Sequence, residues 1–280
     1  IPMLVERDIL EPLDGYLEGA DFADKLVALQ RAAVREGNTY GVVLTASPQA
    51  LLSNTLLMKE AGVESIPTTP EELFEAAKKI KETTGQFGFA FTTNAAEPLF
   101  MYIYAMQWVL GFGSDFACDG VPTANAPKTI EAINWLKKFY DADLVPRGLD
   151  TITMRRMFWE GKIAFMIDGP YTMTHVKTNN PSLYPHIDFT EPPTPTKAAI
   201  TGGAFFTIPK GAKHKDEAWK FIAFFNRPKW QRIWIEELVQ MPAWEVEPSP
   251  EFLAENPWVT RMIDIAAKYA AGFGYAPPGL

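Results

Sequence analysis

The sequence predicts an α/β protein, because stretches with helical spacing of apolar residues alternate with short runs typical of strands. The four predicted strands lie at residues 41–44, 88–92, 163–167 and 204–208. Proline, glycine and capping residues stand at the ends of the stretches between them. The chain has 280 residues, 47% of them apolar, which is enough for one large domain or two smaller ones.

The helices are indicated first by their ends. Thr69, Pro70 and Glu72 match a capping box with proline at the first helical position, and this helix is expected to run to Gly85. Further helices are predicted from Pro127 onward and at residues 216–225 and 229–239. The longest apolar run, residues 100–112, is shorter than the ~20 residues that span a bilayer, so it predicts a buried helix.

Residues 157–171, which read MFWEGKIAFMIDGPY, are the most informative segment. A helix over residues 151–159 should end at Gly161, and a short apolar strand follows it. Gly169 and Pro170 then turn the chain into a new helix and bring Tyr171 to the end of that strand. Open α/β sheets bind ligands at the carboxyl ends of their strands. The segment therefore predicts a cleft with an aromatic wall rather than a catalytic group.

The charge and the cysteine content limit the classes of partner. The formal net charge is −8, which argues against a nucleic-acid surface, since such surfaces are normally basic. The single cysteine, Cys118, excludes an intrachain disulfide and decides little about the compartment. Asp119 and Gly120 beside it are typical of a hairpin turn.

No motif for catalysis, cofactor binding or metal binding is present. The three histidines stand far apart, and there is no G-x-S-x-G elbow, phosphate loop or dinucleotide fingerprint. We therefore expect no catalytic residue, no cofactor and no metal. A glycosidase needs only two carboxylates, which distant segments can supply, so a carbohydrate-active enzyme stays open as a rival class.

Aromatic residues are plentiful, with 8 Trp, 9 Tyr and 19 Phe. Some lie beside turn residues, and these are Tyr171, Phe205, Trp244, Phe273 and Tyr275. Rings on loops at strand ends suit a sugar site, where they stack on the apolar faces of pyranoses. Burial in the core is the alternative for each of them.

Four segments together resemble a known family. They are residues 10–14 (LEPLD), residues 40–73, residues 158–171 and residues 202–221 (GGAFFTIPKGAKHKDEAWKF). Their order and spacing are similar to those of the extracellular solute-binding proteins of ABC importers, the family that includes maltose-binding protein. Val43, Ser53 and Leu99 depart from the family pattern, which has proline, tyrosine and an aromatic residue at these positions.

The resemblance implies a two-lobed periplasmic-binding-protein-like fold of type II, with lobes joined by several hinge crossovers and closing on a ligand like a trap. The amino-terminal lobe would comprise residues 1–50 plus 204–241, and the carboxy-terminal lobe residues 51–203 plus 242–280. The proline-rich tract 191–197 is the expected crossover. Family members extend beyond this chain at both ends, so the amino-terminal lobe is expected to be incomplete.

The resemblance also implies a ligand site. Tyr171 would stack on a sugar, the backbone of Gly202 and Gly203 would line the cleft near a hinge, and Glu97 would lie in a ligand-contacting loop. The full expected set is Tyr171, Gly202, Gly203, Asp168, Phe205, Glu97, Trp244, Tyr275, Ser47 and Gln49.

The function implied is binding of a carbohydrate, either an oligosaccharide or a sugar-like solute, in the cleft between the lobes. The protein would be a monomer that delivers its solute to an ABC import permease. It would act in the periplasm or outside the cell, with a lipid anchor left open. Another solute, such as glycerol phosphate or a polyamine, is the alternative within the same fold. A phosphate would favour Arg or Lys near the turn at residues 169–171, and the turn itself has neither.

Overall fold

The computed structural model describes residues 1–118, 121–244 and 246–272. The helices are α1 Pro2–Glu6, α2 Asp14–Leu17, α3 Thr55–Glu60, α4 Pro70–Thr84, α5 Pro98–Gly111, α6 Pro127–Asp141, α7 Thr151–Trp159, α8 Tyr171–Asn179, α9 Lys215–Phe225, α10 Pro228–Leu238, α11 Pro250–Glu255 and α12 Trp258–Tyr269. The strands are β1 Val34–Arg35, β2 Asn38–Thr39, β3 Val42–Pro48, β4 Ala50–Asn54, β5 Phe87–Ala90, β6 Ala117–Cys118, β7 Val121–Pro122, β8 Ile163–Asp168, β9 Ile187–Thr190, β10 Ala199–Phe206 and β11 Ala270–Ala271.

The chain divides into two compact units. Unit 1 comprises Ile1–Ser47 and Thr201–Pro257, and unit 2 comprises Pro48–Ile200 and Trp258–Leu280. The lobes expected from the sequence differ from these units at residues 48–50, 201–203 and 242–257. The proline-rich tract 191–197 lies wholly within unit 2, so the crossover expected there is wrong. The chain leaves unit 2 inside strand β10 instead, because an extended strand can belong to both units without a break.

Unit 1 is built on β3 and β10, which are neighbours in one sheet, together with the helices at both ends of this unit's sequence. Its core consists of apolar side chains that are almost fully buried, namely Leu13, Phe22, Val42, Val43, Ile208, Ile222, Ala243 and Trp244. Residues from the first 47 positions thus pack against residues beyond position 200, so unit 1 forms only from both parts of the chain.

Unit 2 is built on a four-stranded sheet with the order β5-β8-β4-β9. Strand β4 is antiparallel to both of its neighbours, and β5 is parallel to β8. Ala50 pairs with Asp168, and Ala90 pairs with Met166. The carboxyl ends of β5 and β8 therefore meet the amino end of β4 at one edge, which we call the site edge. Every residue of β4 and β8 is buried, as expected for strands at the centre of a core.

Helix α4 shows how a local sequence signal becomes structure. Thr69 Oγ1 accepts a hydrogen bond from the Glu72 backbone N–H at 3.2 Å, as the capping-box pattern predicts. Glu72 reaches back to Thr68 rather than to Thr69, accepting from its N–H at 2.7 Å. This bond from the Thr68 backbone lowers the pKa of Glu72. The helix ends at Gly85, whose φ of +74° is a left-handed conformation that favours glycine.

Several other predictions are confirmed with shifted ends. The strand expected at 204–208 is β10, which begins earlier at Ala199, and Pro170 caps α8 rather than starting it. Strands β4 and β9 were missed. The apolar run 100–112 forms α5, with Trp108 buried and Leu99 64% exposed. No helix among the described residues is long and apolar enough to cross a membrane. Cys118 pairs with Val121 in a hairpin whose predicted turn, residues 119–120, lies outside the described residues.

Candidate functional site

A network of hydrogen bonds at the site edge surrounds the Asp168 carboxylate. Asp168 is the last residue of β8 and is 1% exposed. Its Oδ2 accepts from Arg155 Nε at 2.7 Å and from Thr172 Oγ1 at 2.9 Å. Its Oδ1 accepts from Arg155 Nη2 at 3.2 Å, from the Gly169 N–H at 2.9 Å and from the Tyr171 hydroxyl. The carboxylate is therefore buried and holds Arg155 and Tyr171 in place, and contact of Asp168 with a ligand stays a prediction.

Arg155, which the sequence reasoning missed, lies beside these residues. It projects from α7, its side chain is 19% exposed, and Nη2 also donates to the Tyr171 hydroxyl at 3.0 Å. Burial alone would lower the pKa of Arg155, but the Asp168 carboxylate more than offsets this and raises it. No local motif marks Arg155, because its partners lie 13 and 16 residues further along the chain, at the end of the next strand and just beyond it.

Tyr171 is held from several directions. Its hydroxyl also accepts from Gln49 Nε2 at 3.4 Å. The Arg155 guanidinium carbon lies 4.6 Å from the ring centroid, and a Cβ at Gly169 would overlap the ring. Burial, and then the charge of Asp168, raises the pKa of Tyr171 above its usual value, so its hydroxyl is neutral at physiological pH. The structure thus brings together Gln49, Asp168 and Tyr171. Stacking of a sugar on the ring stays a prediction.

Glu97 supports the helix that carries Arg155. Its Oε2 accepts from the backbone N–H of Thr151 at 2.9 Å and from Thr151 Oγ1 at 2.7 Å. Thr151 is the first residue of α7, and Asp150 caps the same helix by accepting from the Thr153 N–H at 2.8 Å. A carboxylate at a helix start interacts favourably with the helix dipole. Glu97 therefore fixes the start of α7, and its contact with a ligand stays a prediction.

Ser47, Gly202 and Gly203 lie in unit 1. Ser47 Oγ donates to Gln240 Oε1 at 3.3 Å, so Gln240 is a polar neighbour that the sequence did not indicate. Gly203 is required by packing, because a Cβ there would overlap the Thr45 carbonyl oxygen and a Leu29 methyl group. Close approach of two backbones is a sufficient reason for the glycine. Lining of a ligand site by Gly202 and Gly203 stays a prediction.

The aromatic residues expected in unit 1 belong to its core. Trp244 is 7% exposed, and its indole N–H donates to the Asn226 carbonyl oxygen at 3.1 Å. Trp244 is thus part of the core in this structure, and its contact with a ligand stays a prediction. Phe205 is half-buried and packs against the same core. Phe273 and Tyr275 lie outside the described residues.

An open groove lies elsewhere on unit 2, beside helix α4. Its volume is about 590 Å³, and it is lined by residues of the loop after α3 and by Glu72, Glu75, Lys79 and Glu82 of α4. None of the expected ligand residues that the structure describes lines it. Among the described residues, no group of three or more His, Cys, Asp or Glu is placed to hold a metal ion.

A polar cluster at the strand ends of an α/β sheet lies where proteins of this class commonly bind ligands. The chain belongs to the bacterial extracellular solute-binding protein family, whose sequence profile matches residues 1–260. The prediction of this family is confirmed, and the family is one of binding proteins rather than enzymes.

Relatives of known name extend the comparison. A Brucella abortus (strain 2308) protein, named as a binding protein without a stated solute, is 28% identical over 90% of this chain and 62% of its own length. A maltotriose-binding protein of Pyrococcus abyssi is 27% identical over 81% of this chain and 48% of its own length. A maltooligosaccharide-binding lipoprotein of Streptococcus pneumoniae (strain R6) is 27% identical over 81% of this chain and 53% of its own length. The chain thus spans less than two thirds of the length of these relatives.

Solved structures share the fold. A solute-binding protein of Thermotoga lettingae, bound to α-D-tagatose, has a TM-score of 0.86 at 20% identity and covers 99% of this chain and 72% of its own. UgpB of Mycobacterium tuberculosis, in complex with glycerophosphocholine, has a TM-score of 0.85 at 20% identity. The match covers 99% of this chain and 71% of UgpB. These similarities confirm the predicted α/β periplasmic-binding-protein fold.

Proposed function

We propose that this chain binds a carbohydrate, an oligosaccharide or a sugar-like solute, and that the site edge of unit 2 supplies its polar contacts. The observation that carries the proposal is the connected cluster of Gln49, Arg155, Asp168 and Tyr171 at the ends of buried strands. A rigid polar cluster on regular elements can recognise a polyhydroxylated solute without first paying to order its own side chains.

Some hydrogen-bonding groups of the cluster are not used by the hydrogen bonds within it. Arg155 uses Nε and Nη2 on Asp168 and Tyr171, and Nη1 has no hydrogen-bond partner within the described part of the chain. Gln49 is half-buried, and among the described residues its side chain bonds only through Nε2, so its carbonyl oxygen can accept from a solute. A planar guanidinium beside a carboxamide gives the mixed donors and acceptors that sugar hydroxyls require.

Apolar side chains stand near these polar groups along the chain. Ile152 at the start of α7 is 74% exposed, and Leu99 at the start of α5 is 64% exposed. The Glu97–Thr151 hydrogen bonds join the two helix starts from which they project. Aliphatic surface of this kind packs against the C–H faces of a sugar ring. These two side chains therefore favour a solute that is polar at its edges and apolar on its faces.

Family membership supports the rest of the proposal. The protein delivers its solute to an ABC import permease, and it acts as a monomer in the periplasm or outside the cell. The family is described as extracellular, and the Streptococcus pneumoniae relative is a lipoprotein, which supports a lipid anchor on the full-length protein.

A phosphate-containing solute is the second candidate. Arg155 brings to Tyr171 the cation that the turn at residues 169–171 lacks, and guanidinium groups bind phosphate well. The glycerophosphocholine complex of UgpB, which shares the fold, is consistent with this candidate.

A binding screen tests the proposal. We expect maltotriose, diacetylchitobiose or tagatose to raise the melting temperature of the wild-type chain, and glycerophosphocholine and spermidine to leave it unchanged. For the saccharide that binds, Gln49→Ala should weaken the affinity about tenfold in isothermal titration calorimetry, the effect of about one lost hydrogen bond of 1.4 kcal/mol.

The matched control is Gln86→Ala, which removes another half-buried glutamine of unit 2 from outside the cluster and should leave the affinity unchanged. Stabilisation by glycerophosphocholine alone would favour the second candidate. Cleavage of an oligosaccharide during incubation with the protein would favour a carbohydrate-active enzyme. Equal weakening by Gln49→Ala and Gln86→Ala would contradict the placement of the site.

A further inference from the structure

The ion pair between Arg155 and Asp168 brings opposite charges into direct contact at the site edge. Arg155 meets the carboxylate with two nitrogens, Nε at 2.7 Å and Nη2 at 3.2 Å, and neither side chain is more than 19% exposed. A two-point contact in a region shielded from water gives strong cancellation of the two charges. A solute that approaches Arg155 therefore meets N–H donors with little net positive charge behind them.

The surrounding groups keep the net charge around Arg155 and Asp168 at zero or below. Burial, followed by the charge of Asp168, raises the pKa of Tyr171 and also that of Tyr104, a buried residue of α5. Both hydroxyls are therefore neutral at physiological pH. Two further carboxylates, Glu97 and Asp150, are hydrogen-bonded to the start of the helix that carries Arg155. The local charge is thus neutral or negative, although an arginine is the most prominent donor.

An anionic solute and a neutral one respond differently to such a site. A phosphate loses much hydration energy when it leaves water, and an uncompensated positive charge restores more of this energy than a neutral donor does. A hydroxyl group loses far less and needs only a well-placed donor or acceptor. The cancelled charge of Arg155 therefore disfavours the phosphate while the N–H donors remain available to the hydroxyl.

We propose that Asp168 is the specificity-determining residue of this site, and that it makes Arg155 select neutral hydroxylated solutes over anionic ones by cancelling its charge. This inference rests on the proposed function and adds to it the basis of selection among solutes. Asp168 acts through Arg155 and is therefore a positioning residue rather than a ligand contact.

The test uses matched probes that differ in one phosphate group. Maltose is compared with maltose 6′-phosphate, and tagatose with tagatose 6-phosphate, by isothermal titration calorimetry on the wild-type chain and on Asp168→Asn. The asparagine keeps the shape of the side chain and removes its charge. We expect the ratio of phosphate to neutral affinity to rise at least about tenfold in Asp168→Asn. In Arg155→Gln/Asp168→Asn, which restores neutrality, the ratio should return to within about threefold of the wild-type value.

Salt dependence separates a charge effect from a structural one. In Asp168→Asn, the raised ratio of phosphate to neutral affinity should fall when NaCl is increased from about 50 to 500 mM. This increase shortens the Debye length roughly from above 10 Å to a few ångströms and so screens the charge. An effect of altered shape would not respond to salt. If Asp168→Asn does not fold, as judged by circular dichroism, Arg155→Gln carries the test. It removes the ion-pair partner of Asp168, whose carboxylate still accepts from the Gly169 N–H and from the Tyr171 and Thr172 hydroxyls, and it should abolish phosphate binding while weakening neutral binding about tenfold.

Different results would contradict the proposed function and the inference about Asp168. If the wild-type chain binds no saccharide of the screen and neither neutral sugar of this test, the proposed function is contradicted. If it binds a neutral sugar but Asp168→Asn leaves the affinity ratio unchanged, or Arg155→Gln binds the sugar phosphate as well as the wild type does, only the inference about Asp168 is overturned.

Discussion

Replacing Asp168 with alanine is expected to lower the free energy of unfolding of unit 2 by about 3–5 kcal/mol. The change removes the partner of a largely buried arginine, because Arg155 has only 19% of its side chain exposed. It also removes the acceptor for the Thr172 hydroxyl, the Gly169 N–H and the Tyr171 hydroxyl. Urea unfolding followed by far-UV circular dichroism measures the loss as a shift in midpoint.

The matched control is Glu160→Ala, which removes the carboxylate of an exposed ion pair on the same unit. Glu160 and Lys162 lie 2.7 Å apart, with 37% and 54% of their side chains exposed. Exposed pairs of this kind contribute little to stability, so this variant should unfold close to the wild type. A loss below about 1 kcal/mol for Asp168→Ala would show that the buried pair does not organise the cluster.

Replacing Gly88 with alanine is expected to cost about 3 kcal/mol or more, the upper range for an overpacked core. Gly88 is a buried residue of β5, and a Cβ there would overlap the backbone of Ala77 in α4. Neither element can move easily, since β5 is paired with β8 and Ala77 lies inside a regular helix. The same urea midpoint measures the effect.

Gly211→Ala is the control for this variant. Apart from its chain neighbours, no described residue has an atom within 4 Å of a Cβ at Gly211, and the φ of Gly211 is not in the left-handed region. The change should therefore stay within about 0.5 kcal/mol. If Gly88→Ala were equally mild, the close approach of α4 to β5 would not be a feature of the folded chain in solution.

The parts of the fold that were predictable are those with local causes. The capping residues of α4 and the left-handed Gly85 act within a few positions, and the structure confirms both. Strand β4 was missed because its five residues end in Ser53 and Asn54, and the polar Asn54 is buried only because it caps the next helix. A short run of this kind has no periodicity to read.

The site was predictable in part for the same reason. The strand–turn–helix of residues 163–171 indicated Asp168 and Tyr171 correctly as neighbours at a strand end. Arg155 was not predictable, because its role depends on how α7 packs against that strand end. Trp244 lies near turn residues in sequence, but unit 1 uses it as core, and local sequence cannot distinguish these outcomes.

The most direct test of the central claim is a crystal structure of this chain with the saccharide that binds most tightly in the screen. We expect the sugar to lie at the site edge, with hydroxyl oxygens about 2.7–3.2 Å from Arg155 Nη1 and within hydrogen-bonding distance of Gln49. A sugar bound instead in the groove beside α4, among Glu72, Glu75 and Lys79, would contradict it.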